Sequence, residues 1–418
     1  MPTIVSRCSA PALALFLAFT ATACASDQLV APSAPRNEPS AASNDLFSAR
    51  AAFARYVAIG TSISAGVQSD GLTAAAQVTS WPALLDAMVG RALKQPYISG
   101  TGCHAPVIAP LLLGIRLSGE SVLTDAASLS CAPLLAGLAP PFDNVSLNGA
   151  LTTDALLTTP QIEAVADKGN AQIYARVLQP GKTQVTTMVA RNATMVSIEL
   201  GSNEVLAAIS GIDPNVPVQQ WAVVYDQVLS AVPVGTKAVV VGLIDDVAHV
   251  PAFRTGDELW NDQFEFGLFH VSVAADCHGS PNLVFVPFAV APVAAAGLVA
   301  AQHGLPPVPF SCAPKGGADF ILTPSEASSV NSEMHAMDLI IQTEANARHF
   351  AYFPLGALYD RSDLKGQFSL VKLMTSASGF GSFFSLDGVH PNGVGQAVLA
   401  RAAAQALNTT YGLGIPIF

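Results

Sequence analysis

Five short runs that are strand candidates constrain the fold of this 418-residue chain more than any other feature. They lie at residues 56–59, 144–147, 195–200, 237–244 and 351–355. The run at 237–244 is apolar without interruption from Ala238 to Ile244, which is typical of a strand buried on both faces of a parallel sheet. Helical patterns alternate with these runs, the clearest beginning at Thr323, Pro324 and Glu326 with a capping box. Strands that alternate with helices predict an α/β fold with a parallel sheet and helices on both faces.

Polar motifs stand where three of these runs end, at residues 60–64, 148–150 and 201–204. A fourth motif, at residues 387–392, precedes the alanine-rich helix predicted at 393–407. In open parallel sheets the functional loops lie at the carboxyl ends of the strands. The motifs are therefore expected to meet at one edge of the sheet.

The four motifs together contain the residue types that acyl transfer needs. A serine hydroxyl becomes nucleophilic only when a base removes its proton and a third group holds that base. We predict that Ser62 is the nucleophile, His390 the base, and Asp387, three residues upstream, the group that orients His390. The predicted oxyanion donors are the N–H groups of Ser62 and Gly149 and the side-chain amide of Asn203.

Each of these residues has a simpler interpretation when it is taken alone. Ser62 could be a loop hydroxyl, Asn203 a helix cap, Gly149 a turn residue, and Asp387 and His390 parts of the turn before a helix. Their joint occurrence, in order and at strand ends, favours the catalytic interpretation. Asp245, Asp246 and His249 follow the fourth run and could suggest a second site, but carboxylates at a strand end more often serve as caps.

The motifs resemble four sequence blocks of the SGNH/GDSL hydrolases, most closely at Asp387-Gly388-Val389-His390-Pro391-Asn392. The resemblance implies a serine esterase that needs no cofactor or metal. It also implies a flavodoxin-like, three-layer α/β/α fold around a parallel five-stranded sheet. Two long insertions, about 95–142 and 250–320, follow no family pattern.

Two residues depart from the blocks of that family. Thr61 stands where the first block usually has aspartate, and Glu204 stands where the third block usually has aspartate after its asparagine. Thr61 is expected to change local hydrogen bonding only. Glu204 could orient Asn203 less firmly, because its carboxylate is one methylene longer.

The amino-terminal end predicts export. Arg7 precedes an apolar run at residues 10–19 that is too short to span a bilayer, so residues 1–23 are predicted to be a signal peptide. The residues around Cys24 resemble a bacterial lipobox, although ordinary cleavage nearby stays open. Residues 24–46 are predicted to be a disordered tether and 47–418 the hydrolase domain. Resemblance to sorted lipoproteins favours the outer membrane of the cell envelope, with membrane contact through the lipid anchor alone.

Four cysteines remain in the predicted domain: Cys103, Cys131, Cys277 and Cys312. In an exported protein they predict two disulfides, and local pairing would close each insertion on itself. The dipeptides at 103–104 and 277–278 allow a zinc site as an alternative, but the spacing of structural zinc sites is missing.

Charge and composition limit the kinds of molecule that this protein is expected to bind. The net charge is −11 and only 12% of residues are charged, which argues against a nucleic-acid partner because no basic stripe is present. The expected substrate is a small-molecule, lipid or acylated-glycan ester. Two alternatives from other classes stay open: a catalytically silent surface lipoprotein that binds a ligand or partner, and a metal-dependent hydrolase built on the Cys-His pairs.

Overall fold

The structure is a computed structural model that describes residues 41–124, 128–166 and 170–417. The predicted signal peptide, Cys24 and residues 25–40 lie outside the described residues. The first helix, Ala41–Ala52, takes in residues 41–46 of the predicted tether. Within the described ranges, no helix is both long enough and apolar enough to cross a bilayer.

The described strands fall into one central sheet and two small ones. In chain order they are β1 (Tyr56–Gly60), β2 (Met195–Glu199), β3 (Lys237–Gly242), β4 (Phe253–Thr255), β5 (Val271–Val273), β6 (Leu283–Phe285), β7 (Val308–Phe310), β8 (Ile321–Leu322) and β9 (Ala351–Pro354). The central sheet has the order β1-β2-β3-β9 and every neighbouring pair is parallel. The predicted parallel α/β architecture is therefore confirmed.

The central sheet has one strand fewer than predicted, because residues 144–147 do not form a full strand. This segment runs beside β1 and makes a single parallel bridge, between Ala58 and Asn144. Leu147 N–H donates to Gly60 O at 3.0 Å. The N–H of Gly60, which would complete the next bridge, instead donates to Gln184 Oε1 at 2.8 Å. The side chain of Gln184 thus replaces the backbone acceptor that a continued strand pairing would have provided.

Helices cover both faces of the central sheet. In chain order they are α1 (Ala41–Ala52), α2 (Ser62–Ala65), α3 (Ala74–Val78), α4 (Trp81–Met88), α5 (Thr152–Leu157), α6 (Pro160–Ala166), α7 (Ala171–Val177), α8 (Gln184–Ala190), α9 (Val218–Ser230), α10 (Gly256–Asn261), α11 (Gln263–Gly267), α12 (Val286–Ala289), α13 (Ala291–Gln302), α14 (Pro324–Ala347), α15 (Gly356–Tyr359), α16 (Leu370–Thr375) and α17 (Gly393–Tyr411).

Two adjacent residues of β9 show that α4 and α14 lie on opposite faces, since successive side chains of a strand point to opposite sides. The ring of Phe353 packs edge-on against Trp81 of α4, with 5.8 Å between ring centroids. The hydroxyl of Tyr352 donates to Asp338 Oδ2 of α14 at 2.8 Å. Helix α17 packs beside α4, and α9 packs beside α14.

The two segments predicted as insertions differ in regularity. In residues 95–142 the described chain is almost entirely irregular, with one short 3-10 turn at Leu111–Leu113. Residues 250–320 instead contain β4 to β7 and four helices, where the sequence had predicted a single strand. Disulfides join Cys103 to Cys131 and Cys277 to Cys312, which is the local one of the three connectivities that the sequence left open. The zinc alternative is wrong, because both cysteines of its Cys-His pairs are in disulfides.

Of two helix caps predicted from the sequence, one forms and one does not. Thr323 accepts a hydrogen bond from Glu326 N–H and forms the predicted capping box of α14. Ser80 was expected to cap α4, but it makes no capping hydrogen bond, and its hydroxyl lies 3.3 Å from Gln95 Oε1.

Candidate active site

Ser62 stands where β1 opens into a helical turn. All five residues of β1 are buried, and Ser62 is the first residue of α2. The turn continues into Gly66, whose φ of +89° suits glycine, and Gly66 N–H donates back to Ser62 O at 3.0 Å. The Ser62 side chain is therefore held at the carboxyl edge of the central sheet.

His390 lies between Ser62 and Asp387. Its Nε2 atom is 2.9 Å from Ser62 Oγ, and its Nδ1 atom is 2.7 Å from Asp387 Oδ2. Since an ionised carboxylate only accepts hydrogen bonds, Nδ1 carries the proton of the neutral imidazole and Nε2 is the acceptor. The Ser62 hydroxyl therefore donates to His390.

Five hydrogen bonds hold the carboxylate of Asp387. Oδ1 accepts from Ser385 Oγ at 3.0 Å, Val389 N–H at 3.0 Å and His390 N–H at 2.9 Å. Oδ2 accepts from His390 Nδ1 at 2.7 Å and from Asp70 N–H at 2.7 Å. The carboxylate plane, and with it the imidazole ring, is fixed from two sides.

The electrostatics of this pair favour its charged form. Burial by itself would lower the pKa of His390, but the charge of Asp387 and its hydrogen bond to Nδ1 outweigh burial and raise that pKa. Burial by itself would raise the pKa of Asp387, but the charge of His390 and the hydrogen bonds to the carboxylate lower it. Asp387 is therefore ionised at neutral pH and stabilises an imidazolium.

The candidate oxyanion donors come from three separate segments. Among the described residues, no group accepts a hydrogen bond from the N–H of Ser62 or of Gly149. Asn203 donates one amide proton to Ala150 O at 2.9 Å, and its second amide proton is left for another acceptor. Leu147 N–H bonds to Gly60 O, which places the segment before Gly149 beside the end of β1.

Gly149 has a backbone reason to be glycine. Its φ is +70°, and a Cβ atom there would lie 2.9 Å from Asn170 Nδ2. The glycine thus presents its N–H in a conformation that other residues reach only with strain.

Glu204 was expected to orient Asn203, but its carboxylate contacts a different residue. Its Oε1 atom accepts a hydrogen bond from Thr152 N–H at 2.7 Å, at the start of α5. The amide of Asn203 is held by Ala150 O instead. Burial raises the pKa of Glu204, against the hydrogen bonds from Thr152, which lower it. The longer carboxylate therefore supports the 148–152 segment and not Asn203.

Glu199 was not predicted from the sequence, and its carboxylate contacts the turn that carries Ser62. Glu199 is 1% exposed and ends β2. Its carboxylate accepts hydrogen bonds from Thr61 N–H at 3.0 Å, Thr61 Oγ1 at 2.8 Å and Ser64 Oγ at 3.1 Å. The available signal was a charged residue at the end of a strand that is otherwise uncharged. Thr61 precedes Ser62 and Ser64 lies two residues after it, so Glu199 anchors the turn that carries Ser62.

An apolar cavity of about 90 Å³ lies next to the segments that carry Ser62, Asn203 and His390. Ile63, Ser202 and Val389, the chain neighbours of Ser62, Asn203 and His390, contribute to its wall. The rest of the lining is almost wholly aliphatic and includes Ala208, Leu243, Val250, Val330 and Met334. The cavity can therefore hold an aliphatic group, and its wall is formed in part by the segments that carry Ser62, Asn203 and His390.

The polar residues after β3 have structural partners. Asp246 Oδ1 accepts from Ala248 N–H at 2.8 Å and from Asn331 Nδ2 at 2.9 Å, which is a capping role. His249 Nδ1 lies 2.7 Å from Asp360 Oδ1. The contacts of Asp246 match the capping role that the sequence favoured for a carboxylate at a strand end.

No protein-family model matches this chain, and no curated protein matches it. Among solved structures, it is similar to an extracellular lipase from Streptomyces rimosus, with 14% identity and a TM-score of 0.35 over 85% of this chain and 98% of that one. It is also similar to phospholipase A1 from Streptomyces albidoflavus NA297, with 14% identity and a TM-score of 0.33 over the same shares. Both superpositions are loose.

Proposed function

We propose that this protein is a serine esterase that hydrolyses carboxylic esters through an acyl-enzyme at Ser62. The observation that carries the proposal is the row of hydrogen bonds from Ser62 Oγ to His390 Nε2, at 2.9 Å, and from His390 Nδ1 to Asp387 Oδ2, at 2.7 Å. A serine, an imidazole and a carboxylate joined in this order form the arrangement that activates a hydroxyl nucleophile.

The first half of the proposed reaction forms the acyl-enzyme. Ser62 Oγ attacks the ester carbonyl carbon while its proton moves to His390 Nε2. Asp387 stabilises the imidazolium that results. When the tetrahedral intermediate collapses, the bond to the alcohol oxygen breaks, and His390 returns the proton to that oxygen.

The second half repeats these steps with water. Water attacks the acyl carbon, His390 takes its proton, and collapse releases the carboxylic acid and restores the Ser62 hydroxyl. The N–H groups of Ser62 and Gly149 and the free amide proton of Asn203 hold the oxyanion in both intermediates. Such preorganised donors contribute about 3–4 kcal/mol each to catalysis.

The apolar cavity supports an aliphatic acyl group as the substrate's acid part. Its wall includes Ile63, Ser202 and Val389, which belong to the segments that carry Ser62, Asn203 and His390, and we propose that the acyl chain enters it. We propose a medium-chain or lipid ester as the substrate class. An acylated glycan is less compatible with an aliphatic lining, because its short acyl group would leave the cavity unfilled.

The wider architecture enters this proposal through the resemblance to SGNH/GDSL hydrolases. We propose a single hydrolase domain at 47–418, a flavodoxin-like topology in which the 144–147 segment takes the fifth strand position, and insertions at about 95–142 and 250–320. Export and attachment through a lipid on Cys24 belong to the same proposal. The two disulfides support an oxidising compartment.

A fluorophosphonate probe tests the proposal directly. The purified protein is incubated with the probe and the modified peptide is located by mass, beside the variants Ser62→Ala and His390→Ala. Ser202→Ala is the matched control, because Ser202 lines the same cavity without contacting the histidine in any described hydrogen bond. We expect a stoichiometric adduct on Ser62 that only the first two variants lose. A folded protein that forms no adduct would overturn the esterase and leave the ligand-binding alternative.

A further inference from the structure

One of the five hydrogen bonds to Asp387 comes from a distant part of the chain. Four donors lie within residues 385–390, in the same segment as the carboxylate. The fifth is the N–H of Asp70, 317 residues away, which donates to Oδ2 at 2.7 Å. Oδ2 is also the atom that accepts from His390 Nδ1. Without Asp70, that oxygen would be held only by the ring it has to orient.

The Asp70 N–H is presented by a tight turn in an unusual conformation. Gln68 and Gly71 exchange two backbone hydrogen bonds, of 2.9 and 3.1 Å. The two central residues, Ser69 and Asp70, have φ angles of +51° and +57°. Residues other than glycine adopt this left-handed conformation only when their surroundings stabilise it.

The segment that carries Asp387 supplies part of that stabilisation. Ser69 N–H donates to Ser385 Oγ at 2.8 Å, and Leu386 N–H donates to Ser69 Oγ at 3.1 Å. The turn and the catalytic segment are thus joined by three hydrogen bonds when that of Asp70 is included.

Arg116 supplies further stabilisation of the turn at residues 68–71. It belongs to the 95–142 segment and is 5% exposed. Its Nη2 atom pairs with Asp70 Oδ2 at 2.5 Å, and its Nη1 atom donates to Asp70 O at 3.1 Å and to Ala105 O at 2.9 Å. The planar guanidinium therefore grips both the carboxylate and the carbonyl of Asp70.

The backbone of the 95–142 segment continues this contact. Val107 N–H donates to Ser69 O at 2.7 Å, and Leu72 and Cys103 are joined by a hydrogen bond of 2.8 Å. Cys103 is linked to Cys131 by a disulfide. The turn is therefore clamped between the catalytic segment and a cross-linked part of this segment.

We propose that the 95–142 segment is a positioning device for the catalytic aspartate, in which Arg116 holds the Asp70 turn so that its N–H fixes Oδ2 of Asp387. The inference rests on the proposed function, in which Asp387 orients His390. Arg116 and Asp70 are positioning residues, since neither touches the reacting atoms. The role of the 95–142 segment is then to align His390 through Asp387.

The test compares Arg116→Met and Arg116→Lys with the wild type on a soluble short-chain ester. We expect Arg116→Met to lower kcat about 10- to 100-fold, as a slightly misplaced catalytic group does, with KM nearly unchanged. Arg116→Lys keeps the charge and should recover part of that loss. The matched control is Arg176→Met, because Arg176 binds Cys131 O and Ala132 O of the same segment, away from the turn.

Two further measurements separate positioning from a general loss of structure. In an Asp387→Ala background, Arg116→Met should have no additional effect on kcat, because the group it positions is gone. The proton on His390 Nδ1 should give a downfield resonance in the wild type that weakens in Arg116→Met and persists in Arg176→Met. Additive effects, or an unchanged resonance together with an unchanged kcat, would overturn the inference.

The resonance also separates this inference from the proposed function. Suppose that the wild type hydrolyses no ester but shows the resonance, and that the resonance is lost in Arg116→Met. That result would overturn the esterase proposal and keep the positioning role of Arg116. If Arg116→Met fails to fold, Asp70→Ala is used, since alanine keeps the N–H but loses the carboxylate that pairs with Arg116 and does not favour the positive φ by itself. Unchanged kcat and resonance in that variant would count against the inference in the same way.

Discussion

Glu199 Oε2 accepts a hydrogen bond from the backbone N–H of Thr61 at 3.0 Å, so a fully buried carboxylate supports the residue immediately before the proposed nucleophile. Burial raises the pKa of Glu199, while the hydrogen bonds from Thr61 and Ser64 lower it. The donors that surround it require an acceptor at this place.

Replacing Glu199 should loosen the nucleophile turn. In Glu199→Leu, which has no acceptor atom, the buried N–H of Thr61 and the hydroxyls of Thr61 and Ser64 would lose their acceptor. We expect the free energy of unfolding to fall by about 1–3 kcal/mol and kcat to fall roughly tenfold. Denaturant unfolding and ester hydrolysis measure the two effects. Full activity at unchanged stability would show that Glu199 does not anchor the turn.

The pH dependence of hydrolysis should report the His390–Asp387 pair. The base must be neutral, so kcat/KM should rise with pH around the pKa of His390, which Asp387 holds above the ordinary value of about 6.5. In Asp387→Asn the charge that opposes burial is removed, so the midpoint should move to lower pH. The same variant should lower kcat by about 10⁴-fold, since the imidazole is no longer held in the required tautomer. A midpoint that stays in place would contradict the assigned pairing.

Filling the apolar cavity should discriminate between acyl chain lengths. Ala208 lines the cavity and is 2% exposed, so Ala208→Phe would occupy space that a long acyl chain needs. We expect kcat/KM for an octanoyl ester to fall about 10- to 100-fold while an acetyl ester changes less than about threefold. Met334→Ala, which enlarges the same cavity, is the opposite control. Equal losses on both esters would mean that the acyl chain binds elsewhere.

Asp86 should make stability fall as pH rises. Its side chain is buried, which raises its pKa to about 7, against the charge of Arg91, which lowers it. The unfolded chain releases this proton at lower pH, so the contribution to stability is complete below about pH 4 and is lost as pH rises through 7. Asp86→Asn should therefore stabilise the protein at pH 8, by on the order of 2–3 kcal/mol, and change little at pH 4. Thermal unfolding at the two pH values measures this, and equal shifts at both would refute it.

Much of the local structure could be predicted from neighbouring residues alone. The capping box at Thr323 and Glu326 sets the start of α14, because those two side chains satisfy backbone groups within one turn. Strand β3 was predicted from its run of three adjacent valines, which is typical of a strand buried on both faces. These features depend on contacts that short sequence patterns encode.

The sequence by itself determined which polar motifs stand at strand ends, and hence which residues are candidates for the site. Only the tertiary structure decided which groups support them. Ser62 and His390 are 328 residues apart and Asp70 and Asp387 are 317 apart, and no local pattern specifies such contacts. The same holds for the Gln184 side chain that replaces the ladder at Gly60. Periodicity and capping act within a few residues, whereas the partner of a buried polar group is chosen by whatever chain segment folding brings beside it.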